Sequence, residues 1–153
     1  MKLAEALLKR AELKKTIEEL KNRAQKNVCV QEGEDPFEDP GEMLEKAIEM
    51  NKALTELAKR INITNQETII ENDKRLSDLL ADRDGLLRKR SVVKSVIEGT
   101  ANAARPFRFT KAEIKTIVVV DVKKLQELSD EVSREYRNLD TMIQGINWKT
   151  ELI

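Results

Sequence analysis

The chain has 153 residues, enough for one domain with a buried core. Charged side chains make up 37% of it and aromatic ones only 3%, a balance that suits long helices better than a compact mixed fold. With 28 basic and 28 acidic residues the formal net charge is zero, so overall charge argues for no polyanionic partner, and the lack of histidine removes the commonest general base and transition-metal ligand.

Helix one is predicted from about Leu3 to Lys26. Leu13, Ile17, Leu20 and Ala24 step by four, three and four, the seam of a packed helix, and Leu3, Ala6 and Leu7 extend it. Off that seam, Glu19 and Arg23 have the spacing of a favourable ion pair. Gly33, Pro36 and Pro40 then break the pattern and mark a loop. Its end reads as a helix start, with Asp39 as N-cap, Pro40 at the first position and Glu42 in the first turn.

Helix two runs to about Asn62, with Leu44, Ala47, Asn51, Leu54, Ala58 and Ile61 as its seam. Asn51 interrupts that seam, and a lone polar residue there can fix register or oligomer state. Asn62, Thr64 and Asn65 are placed to end the helix by local hydrogen bonding. Between 67 and 76 a β-prone run, a turn-forming Asn72-Asp73 and a return predict a small β-hairpin. Ser77 is the expected N-cap of helix three, which continues to about Ala103 through Leu76, Leu79, Arg83, Leu86, Arg90, Val93 and Ile97. Pro106 stops it, and Ile117 to Val120 is a β-branched, extended run. Asp121 caps helix four, whose seam passes through Leu125, Leu128, Val132, Tyr136, Leu139 and Ile143 to about Gln144.

Two groups of polar residues stand out. Arg83 and Arg90 lie seven apart on an apolar line, with Asp82 and Asp84 close by. They suit either ion pairs that set helix register or a polar anion site between helices. From Arg83 to Lys115 there are nine cations against three carboxylates, with Phe107 and Phe109 among them. Arg105, Phe107, Arg108, Phe109 and Lys111 are the candidate nucleic-acid contacts, through phosphate pairing and base stacking. The competing reading is charge matching, because Glu32 to Glu49 carries eight carboxylates against Lys46 alone.

No residues are assigned to catalysis, to a cofactor or to a metal. The acidic loop of Glu32, Glu34, Asp35, Glu38 and Asp39 lacks the spacing of a calcium-binding loop and reads as solvated. A single cysteine, Cys29, excludes an intramolecular disulfide and a cysteine-rich zinc site, and suits a reducing compartment. The longest uncharged run, Thr141 to Trp148, is far short of the roughly 20 residues of a membrane helix. The charged start has no secretory apolar core, so the expectation is a cytoplasmic protein with no membrane partner.

Several phrases are shared with one bacterial family. They are Val30-Gln31-Glu32-Gly33-Glu34 with Glu38-Asp39-Pro40, Arg60-Ile61-Asn62 with Thr64-Asn65, and Ala81-Asp82-Arg83-Asp84. Glu113-Ile114-Lys115 with Val120-Asp121-Val122, and Asn147-Trp148 with Thr150-Glu151-Leu152, complete the set. On these the chain resembles the small helical proteins labelled septicolysin-like. The label implies a thiol-activated, pore-forming toxin, whose class has a cysteine close to a Trp-rich segment. Here Cys29 has no tryptophan near it and the only one is Trp148, so a toxin-like role is the least favoured alternative. The resemblance supplies no catalytic residues.

The expected architecture is all-α: one helical domain over 1–153, built from long antiparallel helices in coiled-coil-like hairpins, with the β-hairpin near 67–76. The expected function is a non-enzymatic structural or interaction protein that self-associates through its amphipathic helices as a dimer or larger oligomer. Nucleic-acid binding through 83–115 is the alternative.

Overall fold

The computed structural model describes residues 1–70, 73–103 and 117–153. They form four α-helices: α1 Leu3–Asn27, α2 Pro40–Glu67, α3 Leu76–Ala103 and α4 Val122–Lys149. The fold is all-α, as the apolar periodicity requires.

The hairpin expected over 67–76 is not formed. Among the described residues there is no strand, and near 67–76 an isolated antiparallel bridge joins Ile69 to Arg75. Ile70 N–H donates to the Lys74 carbonyl at 2.7 Å, and Leu76 N–H to that of Thr68 at 2.9 Å. The reason is that both flanking helices run further than expected. Thr64 bonds its hydroxyl back to the Arg60 carbonyl at 2.8 Å, so α2 continues to Glu67 instead of ending near Asn62. At the other side α3 already begins at Leu76, which puts Ser77 inside the helix and not at its cap. Between the two helices Asp73 takes the left-handed conformation (φ 59°) that Asp tolerates better than most residues.

The other starts follow the sequence rules. Asp39 Oδ1 accepts from the N–H groups of Gly41 at 2.7 Å and Glu42 at 3.3 Å, with Pro40 opening the helix. Asp121 Oδ1 accepts from Lys124 N–H at 3.1 Å and caps α4. At the first helix, Glu5 reaches back to the Lys2 N–H at 2.7 Å.

The chain divides into two compact units. The first holds Met1–Leu76 and Gln144–Ile153. Here α1 packs along α2. Leu20 and Arg23, late in α1, line a cleft with Met43 and Lys46, early in α2, so the two helices run antiparallel. Leu3, Ala4, Ala6 and Leu20 are buried from α1, and Met43, Leu57, Ile61 and Thr64 from α2. The α2 seam read from periodicity is met at Ala47, Leu54, Ala58 and Ile61, which are buried or half-buried, but not at Leu44 and Asn51, which are exposed while Met43 and Leu57 are buried. Asn51 sets no register inside this unit. The last residues of the chain are clasped against the first. Lys2 and Glu151 form an antiparallel bridge, Leu3 N–H donates to the Thr150 carbonyl, and Leu152 N–H donates to that of Met1.

The second unit is Ser77–Ile143. Leu79 and Val93 of α3 and Val132 and Ile143 of α4 are its buried apolar residues. Each is on the stripe read from the sequence. An ion pair between Arg83, in an early turn of α3, and Asp140, in a late turn of α4, links the helices in antiparallel register at 3.6 Å.

Candidate functional site

Polar side chains concentrate at three places. The first is Arg83. Its stripe position half-buries the side chain, and its guanidinium lies 3.3 Å from Asp84 and 3.6 Å from Asp140. The buried Nε has no hydrogen-bond partner among the described residues. Of the four residues singled out around it, the structure joins Arg83 and Asp84 directly. Asp82 and Arg90 are exposed, and Arg90 makes no ion pair among the described residues. Asp140 was missed because nothing local in sequence connects it to a residue 57 positions earlier. With carboxylates already on two sides, Arg83 is neutralised where it stands, and the cluster has the chemistry of a helix-to-helix tie.

The second place is the clasp in the first unit. Glu151 takes the Lys2 ammonium at 2.6 Å and the Met1 amino group at 3.2 Å. These hydrogen bonds hold the Glu151 carboxyl below its ordinary range. Arg60 Nε donates to the main-chain oxygen of Ile153 at 2.8 Å. Fully buried Thr64 accepts from Ile153 N–H at 3.0 Å while its own hydroxyl donates to Arg60.

The third is the cleft where α1 meets α2, about 430 Å³, lined by Leu20, Arg23, Glu38, Asp39, Glu42 and Met43 together with Lys46. Arg23 grips Glu38 through both guanidinium arms. That bond lowers the Glu38 carboxyl and strengthens the hold of Arg23 on its proton. The sequence had paired Arg23 with Glu19; Glu19 instead lies 3.7 Å from Lys15. Glu42 sits 3.8 Å from Lys46, and Asp39 is committed to its cap. Charges in this cleft are paired off.

Arg105, Phe107, Arg108, Phe109 and Lys111, the candidate nucleic-acid contacts, lie outside the described residues. Among the described residues no group of three or more carboxylates or thiols is placed to hold a metal ion. None of the helices there is long and apolar enough to cross a membrane.

What the surface does present is apolar. Phe37 is 95% exposed in the loop between α1 and α2. On α2, Leu44 and Ile48 are half-exposed one turn apart. On α3, Val92 and Val96 repeat that spacing at 65% and 43% exposure. Ile117, Val118, Val119 and Val120 are also exposed.

This fold defines a class of small all-helical proteins without a marked catalytic centre among the described residues. Residues 10–152 match the model of a family of unknown function, DUF6847, and the chain belongs to that family. The assignment corrects the septicolysin-like resemblance, which rested on short shared phrases; nothing in the comparisons points to that family. The chain is also similar to a functionally unknown conserved protein from Corynebacterium diphtheriae, known from its crystal structure. The two are 36% identical over 100% of this chain and 99% of that one, with a TM-score of 0.89. No curated protein matches this chain.

Proposed function

We propose that this protein is a structural or interaction module that self-associates, as a dimer or larger closed assembly, and that its work is binding and not catalysis. The observation that carries this reading is the set of exposed apolar side chains on otherwise charge-coated elements: Phe37, the Leu44–Ile48 pair and the Val92–Val96 pair. Repetition at one helical turn makes each pair a stripe on one face, the arrangement by which helices dock in coiled-coil fashion. Patches of this kind on a soluble domain mark contact surfaces.

The alternative, a nucleic-acid-binding module, is supported by Arg88, Lys89 and Arg90, which are exposed and make no ion pair among the described residues. Zero net charge and the acidic stretch in the same chain favour a second copy over a polyanion. Light scattering on a size-exclusion column, run over a concentration series, tests the proposal. Binding of a single-stranded oligonucleotide at low salt, lost steeply as salt rises, would favour the alternative.

A further inference from the structure

The loop between α1 and α2 is built like a presented finger. Both of its ends are tied down. Asn27 donates to the Arg23 carbonyl at 3.0 Å and accepts from Glu38 N–H at 3.2 Å. Glu38 is held by Arg23, and Asp39 caps α2. In between, Gly33 turns the chain at φ 91°, a conformation that favours glycine, and Glu34 N–H closes the turn on the Gln31 carbonyl at 3.0 Å. Next to the pinned Glu38, Phe37 leaves 95% of its surface in water. Glu32, Glu34 and Asp35 stand beside it, exposed and without an ion pair among the described residues. A pinned loop that projects one aromatic loses little entropy on docking, and buried aromatics are the usual anchors of interfaces.

One face of α3 is its complement. Val92 and Val96 lie one turn apart, and Arg88 and Lys89 precede Val92 by four and three positions, on the same side of the helix. Seven positions before Val92 is Gly85, where a Cβ would meet nothing nearer than the Arg88 guanidinium at 3.9 Å. The face therefore has a gap in its side chains at Gly85 (the dimple), beside exposed Val92 and two exposed cations that make no ion pair among the described residues. A phenyl ring seated there gains apolar contact and a cation–π contact with Arg88.

We infer that Phe37 of one copy docks on the Gly85–Val92–Val96 face of a second copy, with Glu34 and Asp35 facing Arg88 and Lys89. Charge complementarity selects this occupant: among the described residues the finger's carboxylates and the dimple's cations make no ion pair, and both are in one chain. A two-fold pair makes the contact twice, finger to dimple in each direction. The assignment rests on the self-association reading.

The test uses charge exchange on the full chain. Three variants are prepared: Phe37→Ala, Glu34→Lys with Asp35→Lys, and Arg88→Glu with Lys89→Glu. All positions are exposed, and unchanged thermal melts of each monomer verify the fold. The expected result is a dissociation constant raised about 10-fold or more in each variant alone. Mixing the two charge variants restores association, because every finger then meets a dimple of opposite charge. An oligomeric wild type whose mass none of the variants changes overturns the docking site and leaves self-association standing. Weakening by each variant without rescue in the mixture overturns the direct pairing. A wild type that is monomeric throughout overturns both, and loss of oligonucleotide binding in the α3 variant would then assign the cations to nucleic acid.

Discussion

Thr64 combines three tasks in one buried residue. Its hydroxyl donates to Arg60, its oxygen accepts from Ile153, and its carbonyl takes both the N–H and the hydroxyl of Thr68. Thr64→Val keeps the volume but strands the Ile153 N–H, and we expect it to lower unfolding free energy by about 1–2 kcal/mol, read from urea denaturation. The surface carboxylates behave differently. Glu38 and Glu151 have folded-state values held below the ordinary one, by Arg23 and by Lys2 with the Met1 amino group. A depressed carboxyl contributes stability that is complete above its unfolded value and lost as pH falls through the folded one. Glu38→Gln and Glu151→Gln should therefore lower Tm slightly at pH 7, with the difference from wild type vanishing as pH drops below about 4. The capping aspartates were legible in the sequence because a cap is a local rule. Thr64 was legible only as a helix-ending residue, since its partner is 89 positions away.

At the scale of the helices, long apolar periodicity was the readable signal, and α1, α3 and α4 bury the stripes it marks. In α2 the stripe failed only at Leu44 and Asn51, because this helix carries apolar residues on two faces: Met43, Leu57 and Ile61 inside, Leu44 and Ile48 outside. A second apolar face blurs the choice of register. Ile61→Ala should be the more damaging change, costing about 2–5 kcal/mol through a cavity at a site that is 1% exposed. Leu44→Ala should leave monomer stability within about 0.5 kcal/mol. Arg83 gives a further test. Its buried Nε lacks a partner and its two carboxylates are partly wet, but removing the cation alone leaves half-buried Asp140 without it, so Arg83→Met should cost no more than about 1 kcal/mol in a urea melt. A large loss would mean that the Asp140 pair stabilises the hairpin strongly. The small β-hairpin failed as an expectation because β propensity over a few residues yielded to the extension of the flanking helices.

For the whole molecule, composition made the all-α class legible and left the function open, because neither a catalytic nor a cofactor motif is written in the chain. The proposed function resides in surfaces, and surfaces need coordinates. Exposure separates Leu44, Ile48, Val92 and Val96 from the core residues that share their chemistry, and it picks out Phe37 in a tied loop. Charge along the chain hinted at complementarity between 32–49 and 83–115, and the folded chain leaves Glu34, Asp35, Arg88 and Lys89 outside its own ion pairs among the described residues. The most direct measurement is the light-scattering mass of the untagged protein across a concentration series. Self-association predicts a mass that is a whole multiple of the 17.5 kDa chain at high concentration. A mass of one chain at every concentration would contradict it.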